Sequence, residues 1–303
     1  MSIPGPVALL GGGEHRAGCE LIDRWLLDRT GRAQPGVVVV PAASPPGNLP
    51  ATAALARTWW QGLGAGVSAL HPAALTGPAA VSALAHADLI VLTGGVPDRL
   101  VAALGAGPTW DLVLDRWRDG AVLAGSSAGA MALFAWRLGL RPLRPLRVVP
   151  GLGPLEGHVA VPHFDRLVTR AGLDRWVARR QRRLDDLAVL GIDERTALVV
   201  DGDDVLVRGL GAVTVLDGAH RSAARAGAPV TGPRSLTPRA QAMSRRRAPT
   251  MPADVSAAAT AVSDSNGTQV RSAAGNDGTW VNGDRFSTHW SSWSTGPSWP
   301  ISR

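Results

Sequence analysis

The sequence predicts an α/β protein built on an open, mostly parallel sheet with helices on both faces. Three observations carry that expectation. Strand-like and helix-like stretches alternate five times between Val7 and Trp136, the order that generates parallel sheets. Several strands are near-continuous apolar runs, as at Val37-Val38-Val39-Val40, which suits strands covered on both faces. Glycine-rich turns follow three strands, at Gly11-Gly12-Gly13, Gly94-Gly95 and Gly125 to Gly129. Such strand ends are where open α/β sheets bind ligands.

In chain order, Val7 to Leu10 is the first strand, and Glu20 to Leu27 reads as a helix. The turn between them fails the dinucleotide fingerprint because Arg16 occupies the last glycine position, so Gly13 and Glu14 are read as the rim of a site. Val37 to Val40 is a buried strand ended by Pro41, and Leu49 to Leu63 is a helix whose Trp59 and Trp60 face the core. Val67 to Leu70 is a strand, Val81 to His86 a short helix, Asp88 to Thr93 a strand and Leu112 to Arg118 a helix. Ala121 to Ala124 is the strand that enters the third glycine turn, with a helix over Ala130 to Trp136.

Leu138 to Pro154 is rich in Pro, Arg and Gly and reads as loops about a short strand, Leu146 to Val149. His163 follows an apolar strand and a proline. Leu167 to Leu184 is an Arg-rich amphipathic helix with a solvated charged face. Leu187 to Glu194 is a strand ending in two carboxylates. Thr196 to Val200 and Val205 to Val207 form a hairpin about Asp201-Gly202-Asp203-Asp204, and Val213 to Leu216 is one more strand. These C-terminal pieces are expected to extend the sheet with antiparallel strands.

The chain has 303 residues, 45% of them hydrophobic, enough for a substantial core. No apolar run is long enough to cross a bilayer, and residues 1–6 lack the basic and apolar regions of a secretory signal. The single Cys19 excludes an internal disulfide and a multi-cysteine metal site, and reads as a small buried hydrophobe. A cytoplasmic protein acting without metal or cofactor is expected. The net charge of +7 is unevenly placed: residues 1–220 hold 21 Arg against 20 acidic residues, and residues 221–303 hold ten Arg against four Asp. The near-neutral body does not suggest nucleic-acid binding. From about Ala223, apolar periodicity gives way to Ala, Ser, Thr, Pro, Gly and Arg. The expected division is therefore a domain over 1–222 and a disordered, non-catalytic tail over 223–303.

The chemistry centres on Gly125-Ser126-Ser127-Ala128-Gly129, a G-x-S-x-G between a strand and a helix. A sharp turn there would expose Ser127 at the sheet edge, as a nucleophile elbow requires. The N–H of Ala128 would face a developing oxyanion, with Gly95 as the second donor. A serine nucleophile needs a base, and the base an orienting acceptor. Of seven histidines, His163 is the best placed and His15 the second. Glu194 and Asp193 are candidates for the acid, with Glu156 a poorer one.

These pieces resemble the dipeptidase E and cyanophycinase family of serine hydrolases. The matching stretches are Gly11-Gly12-Gly13-Glu14, Thr93-Gly94-Gly95, Gly125 to Ala130, Pro162-His163-Phe164 and Gly191 to Leu198, in the family's order. The resemblance implies a class I glutamine-amidotransferase-like fold, with Ser127 as nucleophile, His163 as base, Glu194 as orienting acid and the Gly95 and Ala128 amides as oxyanion hole. It further suggests Gly13, Glu14, Asp165 and Arg170 as substrate contacts, a small peptide or amide as substrate, and no nucleic-acid or membrane partner; a homodimer is compatible with it. Val161 stands where cyanophycinases have Asp, their Arg-Gly-Arg after His-Phe is absent, and Val96-Pro97 replaces a polar pair. Those departures weaken the arginine–aspartate polymer as substrate. Two rivals remain: an α/β-hydrolase-like esterase using Ser127, Asp193 or Asp201, and His220; and a non-catalytic binding module that recruits a partner through the Trp-bearing tail.

Overall fold

The computed structural model describes residues 4–139, 147–171, 187–217 and 220–230, without the side chains of 168–171. Its main sheet has seven strands in the order β11-β10-β1-β5-β4-β2-β3. β1 (Val7–Leu10), β2 (Gly36–Val40), β3 (Gly66–Ala69), β4 (Leu89–Leu92) and β5 (Val122–Ser126) run parallel. The hairpin of β10 (Thr196–Asp201) and β11 (Asp204–Gly209) adds antiparallel to the free edge of β1.

Strand side chains alternate between faces, and both faces here are apolar. Ala8, Leu10, Val37 and Val39 point to one side, where α1 (Glu20–Arg29) supplies Ile22 and Leu26 and α2 (Leu49–Gly62) supplies Trp60. Val7, Leu9, Val38 and Val40 point to the other. They share a core with Leu84 of α3 (Pro78–Ala85), Leu100 of α4 (Pro97–Gly105) and Trp117 of α5 (Thr109–Arg118). This double covering explains why the strands read as unbroken Val, Ile and Leu runs.

The structure departs from the expected elements in several places. The antiparallel extension of the main sheet is the β10–β11 hairpin alone. β8 (His158–Pro162), β9 (Ala188–Ile192), β12 (Ala212–Asp217) and β13 (His220–Arg225) form a second sheet in the order β13-β12-β9-β8. In it, β8 and β9 are parallel and the other pairs antiparallel. The helix after the elbow, α6 (Ala128–Ala132), is short because the next residues turn to other partners: Ala135 N–H donates to the Leu155 carbonyl at 2.7 Å. β6 (Trp136–Gly139) then pairs with β7 (Arg147–Pro150). Helix α4 is absent from the expected elements, although Pro at the first position and Asp98 in the first turn are helix-start signals. α7 (Phe164–Ala171) begins three residues before the sequence-predicted start, and the rest of that predicted helix lies outside the described residues.

The composition-based boundary at residue 222 falls inside β13, a polar edge strand with no apolar signature. Beyond it, Val230 N–H donates to the Val205 carbonyl at 2.9 Å, so the fold continues at least to Val230. The tail from 231 to 303 lies outside the described residues. Among the described residues no helix is long and apolar enough to cross a membrane.

Candidate active site

The elbow is built by two close approaches. A methyl group on Gly125 would lie 2.5 Å from the Gly129 carbonyl carbon, and one on Gly129 would lie 2.2 Å from the Leu92 carbonyl oxygen. Only hydrogen fits at either place, which is why both ends of G-x-S-x-G are glycine. Between them Ser127 adopts φ 49°, ψ −106°, a strained backbone for a residue with a side chain. Its N–H donates to the Leu10 carbonyl at 2.9 Å, tying the elbow to the end of β1. Every residue from Ala121 to Ala130 is buried except Ser127, which is partly open.

His163 comes from the end of β8, with φ 55°. Its Nε2 lies 2.9 Å from Ser127 Oγ, and its Nδ1 lies 2.7 Å from Glu194 Oε1. With Nδ1–H donating to the carboxylate, Nε2 is free to accept from the serine hydroxyl. Glu194 Oε2 receives Arg166 Nη2 at 2.7 Å. Burial alone would raise the Glu194 pKa, but the His163 hydrogen bond and the His163, Arg166 and Arg195 charges outweigh it and hold the group below the ordinary glutamate value. The acid is thus kept ionised while mostly shielded from water.

The turn after β1 joins these parts. The Gly11 carbonyl accepts His163 N–H at 2.8 Å, and the Gly12 carbonyl accepts Arg195 N–H at 2.8 Å. Gly12, at φ 114°, lies flat against the imidazole: a Cβ there would be 2.2 Å from His163 Cε1. The triple glycine therefore docks the histidine and glutamate loops against the serine elbow. The Gly95 turn, at φ 137°, is held by Val96 N–H donating to the Ala43 carbonyl at 2.8 Å. Neither the Gly95 nor the Ala128 N–H has an acceptor among the described residues.

The remaining candidates sort by partner. Asp193 Oδ2 accepts Ala212 N–H at 2.9 Å and anchors β12, and burial raises its pKa; Glu194, not Asp193, faces the imidazole. Buried His15 accepts Trp60 Nε1–H at 3.1 Å, and burial, opposed by the Glu14 charge, lowers its pKa. Asp201 pairs with Arg29 at 3.0 Å, and His220 is exposed on β13, so Asp193, Asp201 and His220 do not gather at Ser127. The Cys19 thiol is buried and pushed up to about 12, chiefly by burial with the Asp23 and Glu14 charges adding to it.

Two expected substrate contacts have partners within the protein. Glu14 accepts Gly94 N–H and Ser126 Oγ–H, each at 2.7 Å, because the turned backbone at Gly12 and Gly13 aims it beneath the elbow. Asp165 Oδ1 accepts Glu194 N–H at 3.1 Å and so holds the acid loop. Gly13 lies at φ 77°, and its carbonyl receives the Cys19 thiol at 3.2 Å. The Arg170 side chain lies outside the described residues. The sequence gives no signal for Arg166, which stands one residue before the predicted Arg-rich helix, or for a role of Gly12.

The family model for peptidase family S51 matches residues 7–208. The chain belongs to that family. It is accordingly a serine-type peptidase. A solved peptidase from an acI-B1 Actinobacterium is 26% identical, with a TM-score of 0.65 over 76% of this chain and 98% of that one. A putative peptidase E protein from Listeria monocytogenes EGD-e shares the fold at 17% identity, with a TM-score of 0.52 over 69% of this chain and all of that one. No curated protein matches the chain.

Proposed function

We propose that this peptidase cleaves a peptide or amide bond in a small peptide through an acyl-enzyme on Ser127. The observation that carries the reading is the run of contacts from Ser127 Oγ to His163 Nε2 at 2.9 Å and from His163 Nδ1 to Glu194 Oε1 at 2.7 Å. Ser127 Oγ attacks the carbonyl carbon as His163 Nε2 takes its proton, and Glu194 stabilises the imidazolium that results. The negative oxygen of the tetrahedral intermediate is held by the Gly95 and Ala128 amides. The C–N bond then breaks as Nε2 returns the proton to the leaving amine. Water, deprotonated by the same nitrogen, releases the acyl group and restores Ser127.

Arg166 and Arg195 near the acid suit a substrate with a carboxylate, such as an aspartyl dipeptide. The absent Asp at Val161 and the apolar Val96-Pro97 argue against the arginine–aspartate polymer. A cytoplasmic setting and a non-catalytic tail belong to the same proposal.

The test is labelling of the full chain with a fluorophosphonate, followed by turnover of a panel of Asp-Xaa dipeptides, β-aspartyl peptides and simple esters. Ser127→Ala should abolish labelling, and His163→Ala should slow it by at least about 10³-fold. Labelling that persists in Ser127→Ala would remove the proposed nucleophile.

A further inference from the structure

The hydrogen-bonded ladder between β4 and β5 ends at the pair Leu92–Gly125. Both groups assigned to the oxyanion hole lie past that point, Gly95 on one chain and Ala128 on the other. No ladder hydrogen bond fixes their separation: the Gly95 turn is tied by Val96 N–H to the Ala43 carbonyl and not to the elbow, and the β4 side is a pair of glycines, the residue type with most backbone freedom. What spans the gap is a side chain from a third strand's turn. Glu14 Oε1 accepts Gly94 N–H at 2.7 Å and Glu14 Oε2 accepts Ser126 Oγ–H at 2.7 Å. Gly94 precedes Gly95, and Ser126 precedes the nucleophile. The turn also lies against the nucleophile: a Cβ on Gly94 would be 3.2 Å from Ser127 Cβ and 2.7 Å from Glu14 Oε1.

We propose that Glu14 is a positioning residue for the peptidase reaction, its carboxylate bridging the Gly94-Gly95 turn and the serine elbow so that the Gly95 and Ala128 amides hold one spacing. Both donors are neutral and the acceptor is a carboxylate, so the two bonds are short and charge-assisted. The bridge replaces the missing rung of the sheet. Its loss leaves the serine, the histidine and the acid in place but lets the oxyanion donors drift, and such donors are effective only within a narrow range of positions. This inference rests on the hydrolytic reading above.

The experiment follows the rate of fluorophosphonate labelling of the full chain, separating the maximal rate from the half-saturating probe concentration. Glu14→Ala should lower the maximal rate by about 10²-fold, the scale of losing one oxyanion donor, with half-saturation little changed. Glu14→Gln should recover most of that loss, because its carbonyl oxygen still accepts Gly94 N–H and its amide can donate to Ser126 Oγ. Ser126→Ala removes one of the two bonds and little volume, and should slow labelling by about 10-fold. It serves as the deciding variant if Glu14→Ala does not fold by circular dichroism.

A folded Glu14→Ala that labels within about 3-fold of the wild type overturns the proposal. So does Glu14→Gln as slow as Glu14→Ala, or, where Glu14→Ala is unfolded, Ser126→Ala at the wild-type rate. Failure of the hydrolytic reading looks different: wild-type protein is then not labelled, or Ser127→Ala is labelled equally.

Discussion

Replacing Gly12 with alanine would place a methyl carbon 2.2 Å from His163 Cε1 and 2.8 Å from both ring nitrogens. Carbon atoms rest at about 3.5 Å or more, so the imidazole must retreat by roughly 1 Å. The ring has no slack, because it is held at 2.9 Å to Ser127 Oγ on one side and 2.7 Å to Glu194 Oε1 on the other. Retreat breaks at least one of those contacts. Misplacement of about 1 Å in a reacting group costs about 10²-fold in rate. The φ of 114° at Gly12 adds a separate cost of about 1–3 kcal/mol to stability, since alanine tolerates that backbone poorly. Gly12→Ala should therefore lose about 10²-fold or more in fluorophosphonate labelling and shift the urea midpoint downward. Gly31→Ala is the control. Gly31 also has positive φ, at 65°, but nothing lies within 4 Å of its Cβ position, so stability should fall by about 1 kcal/mol with labelling unchanged. Gly12→Ala labelling at the wild-type rate would refute the claim that the first turn sets the histidine.

Two further outcomes concern titratable groups. Arg166→Ala removes the ion pair at Glu194 Oε2, one of the causes holding that pKa down. A carboxyl with a lowered folded pKa stabilises the fold above its unfolded value and loses that contribution as pH falls through the folded one. The acid limb of the labelling profile should thus move to higher pH in the variant, with a stability change below about 1 kcal/mol because Arg166 is 44% exposed; an unmoved limb would count against Arg166. Asp23, buried and receiving Trp59 Nε1–H at 2.7 Å, has its pKa raised from 3.8 to about 7, chiefly by burial. A raised carboxyl pKa means that the folded state favours the protonated form, so stability from this group falls as pH rises from about 4 to about 7. Asp23→Asn keeps an acceptor for Trp59 and should flatten that decline in urea titrations; an unchanged slope contradicts the assignment.

What the sequence made legible were features encoded by local chemistry. The Val and Leu runs of β2 and β4 announce strands covered twice, and the small residues of the elbow announce a strand-to-helix corner. His163, after the apolar run of β8, was placed correctly at a strand end. The choice between Asp193 and Glu194 was not readable from adjacent positions; it follows from the turn of backbone at the end of β9, which sends one carboxylate to Ala212 N–H and the other to the imidazole. The second sheet was equally hidden, since β9 and β12 have the apolar pattern of any buried strand and only long-range pairing assigns them. Glu14 reads in the sequence as the rim of a site and a substrate contact, not as a bridge between two turns. Its inward role depends on three positive-φ residues, Gly12, Gly13 and His15, which sequence alone does not announce.

The grip of the first turn on the later loops has a consequence for the life of the polypeptide. Carbonyls from residues 11 and 12 take the amides of residues 163 and 195, so the candidate site is closed by contacts between the first turn and loops more than 150 residues later in the chain. A chain that ends before residue 195 has the serine corner yet lacks the Arg195 amide that the Gly12 carbonyl receives. The contacts among Ser127, His163 and Glu194 thus form only once both later loops have reached the first turn.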